Sequence, residues 1–125
     1  MKTAQDYMEE ANASVPKMGP EEAIKAYHKG GGVFVDVRDS ASIAESGTIK
    51  DAHRFPRGMM EFYADENTPM HKDVLKKDAD IYLICGAGGQ AALAGKTLKD
   101  MGFTHVTNIG GFGAWKEAGG PTEDG

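Results

Sequence analysis

Short runs of β-favouring apolar residues alternate along this chain with segments in which apolar residues recur every three or four positions. The strongest runs, residues 33–37 and 81–84, are rich in β-branched and aromatic side chains and are almost continuously apolar. Runs of this kind are typical of strands that are buried on both faces of a sheet. Weaker strands are predicted at residues 52–55 and 106–108, and an edge strand at residues 15–18.

Helical spacing predicts several helices between these strands. Thr3 is a candidate N-cap for the first of them, with Asp6 three residues later. Strands that alternate with helices indicate an α/β domain, in which helices cover both faces of a central parallel sheet. The longer helices are predicted at residues 3–13, 20–29, 91–101 and 112–118, and shorter ones at residues 58–62, at residues 72–77 and up to residue 45.

The predicted elements divide the chain into three parts. Residues 1–19 form an N-terminal helix and edge strand, residues 20–120 form one α/β domain, and residues 121–125 form a frayed tail. With 125 residues, the chain is long enough for a single domain with its own hydrophobic core.

Charge and hydropathy exclude several classes of partner. The formal net charge is −5 and no long basic run occurs, which argues against nucleic acid. No apolar run approaches the roughly 20 residues that span a bilayer, so no membrane partner is expected. The amino terminus lacks the apolar core of a signal peptide, and a single cysteine cannot form an internal disulfide, so we expect a cytoplasmic protein. No cluster of cysteine and histidine has zinc spacing, so no metal is expected.

The one cysteine, Cys85, stands at the end of the predicted strand 81–84 and directly before a glycine-rich stretch, residues 86–90. Because a helix follows, unpaired N–H groups and the positive end of the helix dipole converge near this sulfur. Such a place stabilises a thiolate or a bound anion. A cysteine that served only as a small apolar side chain would be expected inside the strand. The stretch lacks the Gly-Lys-Ser/Thr ending of a P-loop and the glycine spacing of a dinucleotide-binding turn, which argues against a nucleotide site.

Four further stretches accompany this loop in a fixed order. They are residues 33–39 (Val-Phe-Val-Asp-Val-Arg-Asp), 47–52 (Gly-Thr-Ile-Lys-Asp-Ala), 92–103 after the loop, and 110–115 with Gly110-Gly111-Phe112 and Ala114-Trp115. Together with the Cys85 loop, they resemble the rhodanese-like domains, and among them the small single-domain sulfurtransferases. The resemblance covers residues 20–120. It implies a three-layer α/β domain with a central parallel sheet and helices on both faces.

The resemblance also implies a reaction. A cysteine thiolate attacks a sulfane sulfur donor, often thiosulfate, and keeps the sulfur as a persulfide, which a thiol or cyanide acceptor then removes. A protein is a further candidate acceptor, and no metal or organic cofactor is implied. Carried over to this chain, the nucleophile is Cys85, and the donor and the persulfide lie in a cradle formed by Gly86, Ala87, Gly88, Gly89 and Gln90.

The loop departs from the family in its charge. Active loops of the family commonly carry arginine directly after the cysteine and again at the position of Gln90, whereas this chain has Gly86 and Gln90 there. A neutral hydrogen bond from Gln90 is about half as strong as a charge-assisted one. We therefore expect weak activity with the dianion thiosulfate and a preference for a persulfide or polysulfide. Arg57, with Arg54 and His53, is predicted to line the mouth of the site and to replace the missing charges; the alternative is that these residues form a solvated basic surface.

Two alternative functions follow from the same fold. The dual-specificity phosphatases of this fold carry Cys-x5-Arg, but the arginine position is Ala91 here, which argues against phosphate ester hydrolysis. A non-catalytic module that docks a protein or senses sulfur is favoured by the missing arginines and disfavoured by the retained cysteine. Asp36 and Arg38 match a family motif and are predicted to be structural, with Arg38 paired with an acid such as Glu45.

Overall fold

The computed structural model describes all 125 residues of the chain. Its helices are α1 (Ala4–Ser14), α2 (Pro20–Lys29), α3 (Ser40–Ser46), α4 (Met60–Ala64), α5 (Gly89–Asp100) and α6 (Phe112–Glu117). Its strands are β1 (Val33–Asp36), β2 (Thr48–Ile49), β3 (His53–Arg54), β4 (Asp80–Cys85), β5 (His105–Gly111) and β6 (Thr122–Glu123). A single turn of 3-10 helix, Arg57–Met59, leads into α4.

Four strands form a parallel sheet in the order β3-β1-β4-β5. The most apolar strand, β4, lies between β1 and β5, with Leu83 opposite Val35 on one side and Asn108 on the other. A shift of register between Leu83 and Cys85 then brings Cys85 opposite Gly111. Helices cover both faces of this sheet, so the predicted three-layer α/β fold is confirmed.

Side chains alternate along β4 between two hydrophobic cores. Ile81, Leu83 and Cys85 face the larger core, which α4 and α5 cover. Ile84 faces the smaller core, which contains Ala23 of α2 together with Phe112 and Trp115 of α6. Full burial of a side chain the size of leucine contributes about 1.5–3 kcal/mol. Because Cys85 follows the same alternation as Leu83, its side chain points toward α5.

The N-terminal segment packs on the same side as α5. Its helix begins with the predicted capping box, in which Thr3 Oγ1 accepts from the Asp6 amide and Asp6 accepts from the Thr3 amide. Gly95 of α5 lies against Val15, and a Cβ there would approach the Val15 side chain to 2.8 Å. The predicted edge strand is reduced to a single parallel bridge between Lys17 and Asn108.

The predicted helix at residues 72–77 is wrong, because this segment consists of turns. The amide of Leu75 donates to Lys72 O and the amide of Ala79 donates to Lys76 O, which are the bonds of separate four-residue turns. Only Leu75 is buried between residues 72 and 77. A segment that buries one side chain has little tertiary packing to offset the cost of nucleating a helix.

The prediction of a frayed C-terminal tail at residues 121–125 is wrong. Strand β6 pairs antiparallel with β2, and the Trp115 indole N–H donates to Pro121 O at 2.9 Å. Glu123 accepts from the Asp51 amide at 2.6 Å and from Arg54 at 3.1 Å. These contacts join parts of the chain that are far apart in sequence, so they tie the end of the chain to the domain. No helix in the structure has the length and apolar character needed to cross a bilayer.

Candidate active site around Cys85

A tight loop connects the end of β4 to the start of α5. Gly88 is the N-cap of α5 and has φ +95° and ψ −13°, a left-handed conformation that glycine adopts at little cost. On the other side, the loop lies directly against the end of β5, where a Cβ added to Gly111 would collide with Gly86 O. Glycine at these two positions therefore gives the loop both its turn and its close contact with the sheet.

The loop directs two backbone N–H groups at the sulfur of Cys85. The Gly88 amide lies 2.9 Å from Sγ and the Ala91 amide 3.4 Å from it. The first amides of a helix have no partner within the helix, and here the sulfur takes that place. Two donors and the positive end of the α5 dipole favour a negative charge on this atom. The arrangement matches the prediction that main-chain groups converge on Cys85.

Cys85 opens onto a shallow cavity of about 310 Å³. The residue itself is only 1% exposed, so almost all of its surface is covered by the surrounding residues. The cavity lies at the carboxyl ends of β1 and β4, which is where parallel α/β sheets commonly bind ligands. Its lining residues are Arg38, Asp39, Ser42, Cys85, Gly86, Ala87, Gly89 and Gln90.

The structure brings together all but one of the predicted site residues. Gly86, Ala87, Gly89 and Gln90 line the cavity with Cys85, and Gly88 contributes its amide to the sulfur. Arg57 is the exception and does not line this cavity.

Arg57 lies elsewhere because it has other partners. Its guanidinium contacts Glu61 at 3.2 Å and donates to the Thr97 hydroxyl of α5 at 3.1 Å. Arg54 likewise donates to Glu123 and to Asp124 O. The structure thus gives Arg57 a role in joining α4 to α5, and the hypothesis that it replaces the missing loop charges has no support in its position.

Arg38 reaches the cavity wall but has its charge neutralised. It forms a buried ion pair with Asp36 at 2.7 Å, and the Thr48 hydroxyl donates to the same carboxylate at 2.7 Å. The predicted partner Glu45 is therefore wrong, because the acid two residues before Arg38 folds back onto it. The Arg38 guanidinium also stacks on the Phe112 ring, 5.0 Å from its centroid.

The charge that remains at the cavity mouth is negative. Asp39 is exposed and caps α3, accepting from the Ser42 amide at 2.8 Å. This backbone hydrogen bond lowers the pKa of Asp39 below its ordinary value, so the carboxyl group is ionised at neutral pH. The three arginines of the chain are all paired with carboxylates, those of Asp36, Glu123 and Glu61. No guanidinium is free to meet an anion in the cavity.

Asn108 contacts the loop that follows Cys85, and the sequence alone predicts no functional role for it. Its side-chain amide donates to Gly88 O at 3.0 Å and accepts from the Gly110 amide at 2.8 Å. The residue is 4% exposed. A polar side chain between Val106 and Ile109 in a buried strand is the one sequence signal that could have drawn attention to it.

Comparisons with known proteins agree with this architecture. The mitochondrial protein High Arsenic Content 1 of Arabidopsis thaliana is 32% identical over an alignment of 103 residues, which covers 76% of this chain and 59% of that protein. The chain thus spans less than two thirds of the length of this curated relative. A Rhodopseudomonas palustris protein of unknown function, described as a possible tyrosine phosphatase, superposes with a TM-score of 0.92 at 36% identity. The superposition covers 98% of this chain and 96% of that one.

A structure with a stated sulfur-transfer role is also similar. The homodimeric polysulfide-sulfur transferase of Wolinella succinogenes superposes with a TM-score of 0.75 at 28% identity, over 94% of this chain and 85% of that one. The family model for the rhodanese-like domain matches residues 19–118, which are most of the chain. This chain therefore belongs to the rhodanese-like domain family, which includes sulfurtransferases.

Proposed function

We propose that this chain is a sulfurtransferase that carries sulfur as a persulfide on Cys85. In the first step, the Cys85 thiolate attacks the outer sulfur of the donor, the donor S–S bond breaks, and the rest of the donor leaves as an anion. In the second step, a thiol or cyanide acceptor attacks the terminal sulfur, and the Cys85 thiolate is released. Each step exchanges one bond to sulfur for another, so neither step needs an electron acceptor or a cofactor.

The observation that carries this proposal is the pair of amides aimed at Sγ. A thiolate is the reactive form of cysteine, and the Gly88 and Ala91 N–H groups stabilise it where β4 ends. Preorganised donors of this kind also stabilise charge that develops during a displacement. The leaving thiolate in the second step is the same anion, so one set of donors supports both steps.

The charges around the cavity favour a donor that brings little negative charge close to the transferred sulfur. The paired arginines leave no cation for thiosulfate, and the Asp39 carboxylate at the cavity mouth opposes a dianion. A persulfide or a polysulfide fits this environment better, because only one negative charge lies near the transferred sulfur. Similarity to the Wolinella succinogenes polysulfide-sulfur transferase supports the same donor class.

The phosphatase reaction fits this site poorly. Phosphate ester hydrolysis requires a positive group that clamps the transferred phosphoryl oxygens. The residue at the corresponding loop position is Ala91, which is fully buried, and the arginine that lines the cavity, Arg38, is held by Asp36. We therefore expect no hydrolysis of p-nitrophenyl phosphate, although the Rhodopseudomonas palustris structure is described as a possible tyrosine phosphatase.

A steady-state donor comparison tests the proposal. We expect kcat/KM with glutathione persulfide to exceed that with thiosulfate by about tenfold or more, because each charge-assisted hydrogen bond missing for a dianion is worth about 1.5–3 kcal/mol. Cys85→Ser is expected to abolish turnover of both donors. Turnover that survives Cys85→Ser, or a clear preference for thiosulfate, would contradict the proposal. No turnover with any donor would favour the non-catalytic binding or sulfur-sensing module.

A further inference from the structure

We propose that Asn108 is a positioning residue, which holds the catalytic loop so that the Gly88 amide points at the Cys85 sulfur. This inference rests on the proposed function for its role in sulfur transfer. The geometry behind it is a pair of hydrogen bonds that share Gly88: the Asn108 side chain donates to Gly88 O, and the Gly88 amide donates to the sulfur.

The orientation of the Asn108 amide is fixed by its two partners. The Gly110 amide can only donate, so it selects the Asn108 oxygen, and Gly88 O can only accept, so it selects the Asn108 nitrogen. Both partners have left-handed backbones, with φ +95° at Gly88 and +87° at Gly110. Glycine restrains its own backbone only weakly, so a buried side chain that bonds both residues supplies the restraint they lack.

The backbone of Asn108 is itself held on both sides of β5. Its amide donates to Pro16 O at 2.9 Å, and its carbonyl accepts from the Met18 amide at 3.0 Å. On the other side, it pairs with Leu83 of β4. A short side chain that projects from so constrained a strand has little freedom of its own. Asn108 therefore ties the loop to a rigid part of the sheet.

The restraint on Gly88 matters because few hydrogen-bond donors contact the Cys85 sulfur. Only the Gly88 and Ala91 amides donate to Sγ, and the Gly88 contact is the shorter. Gly88 O also accepts the first hydrogen bond of α5, from the Ala92 amide at 3.0 Å. Without Asn108, Gly88 is held on this side by that helix bond alone. Rotation of the residue would then turn its N–H away from the sulfur.

Asn108→Asp tests this arrangement because it changes one atom of the side chain. The aspartate keeps an acceptor for the Gly110 amide but places an oxygen, in place of the N–H donor, against Gly88 O. Asn108→Ala removes both bonds without adding charge. Asn67→Asp is the matched control, since it makes the same substitution at an exposed position in a turn outside the sheet.

Two rates are measured for each variant: alkylation of Cys85 by iodoacetamide, and turnover of glutathione persulfide. We expect both Asn108 variants to react at least about tenfold more slowly in alkylation and to lose kcat by about tenfold to a hundredfold, as when a donor to a developing anion is removed. The donor KM is expected to change less than about twofold, because Asn108 does not line the cavity beside Cys85. Asn67→Asp is expected to match the wild type.

The outcomes separate this inference from the proposed function. Unchanged alkylation and turnover in both Asn108 variants would overturn the positioning role. Losses that follow only a lower melting temperature, or a rise in KM that accounts for the loss, would also overturn it, because they would indicate a merely structural role. If the wild type shows no turnover, the proposed function fails. Slower alkylation of the Asn108 variants would still support the positioning of the sulfur.

Discussion

Gly111→Ala adds one methyl group where β5 passes against the loop that follows Cys85, and we expect it to disable the proposed sulfur transfer in a protein that still folds. Gly111 has φ −94° and ψ 147°, a backbone conformation that any residue adopts, so alanine carries no conformational penalty there. The added Cβ would fall on Gly86 O, well inside the 3.0 Å that real Cβ atoms keep from their neighbours. It would also lie 3.3 Å from Ala87 Cα. The loop backbone must move to make room.

The size of the effect follows from that forced movement. Overpacking of this kind costs about 1–3 kcal/mol of folding free energy. For a domain of this size, each kcal/mol lowers Tm by about 3–6 °C. The functional loss should be larger, since a displacement of about 1 Å at a reacting group reduces rates by about a hundredfold. The displaced residues, Gly86 and Ala87, directly precede the amide that donates to Cys85.

The assay is single-turnover sulfur loading from glutathione persulfide, followed by mass and compared with Tm. Gly113→Ala is the control, because Gly113 lies in α6 with nothing within 4 Å of an added Cβ. Alanine in a helix is favoured over glycine by up to about 1 kcal/mol, so this variant should be fully active and at least as stable. Wild-type loading rates in Gly111→Ala would refute the close packing of loop and strand on which the site depends.

Three further predictions concern charged groups. Asp36→Asn leaves Arg38 buried without its counter-charge and should lower the free energy of unfolding by about 3–5 kcal/mol in denaturant titrations, whereas a loss below about 1 kcal/mol would contradict the pairing. Asp39→Asn keeps an effective N-cap and should raise kcat/KM for thiosulfate about twofold to fivefold; an unchanged donor ratio would contradict the role of this charge. The Asp51 amide holds the pKa of Glu123 below its ordinary value, so this carboxylate stabilises the fold at neutral pH and loses that contribution as the pH falls through the lowered pKa. Glu123→Gln should therefore lower Tm at neutral pH and converge with the wild type in acid, and a pH-independent difference would contradict the assignment.

The features that could be predicted from the sequence are those encoded by neighbouring residues. The capping box of α1 needs only Thr3 and Asp6, and the buried strands need only runs of β-branched and aromatic residues. The position of Cys85 at the end of β4 and the start of α5 followed from the same local pattern. The layered fold then followed from the alternation of strands and helices.

The features that could not be predicted depend on partners distant in the chain. Arg57 forms a hydrogen bond with Thr97, 40 positions away, and therefore does not line the cavity beside Cys85. Asn108 forms a hydrogen bond with Gly88, 20 positions away, and therefore contacts the loop that follows Cys85. Trp115 and Glu123 hold the C-terminal residues, whose local composition suggested a frayed end. Tertiary packing decides which of several possible partners a side chain contacts. The spacing of residues along the sequence does not reveal that packing.

The most direct test of the central claim is the intact mass of the protein after a brief exposure to glutathione persulfide, with Cys85→Ser treated in parallel. We expect that the wild type gains one sulfur atom, that peptide mapping places it on Cys85, and that addition of cyanide removes it. Cys85→Ser should gain none. A wild-type mass that does not change, or an equal gain in Cys85→Ser, would show that the amides gathered at Cys85 do not support a persulfide.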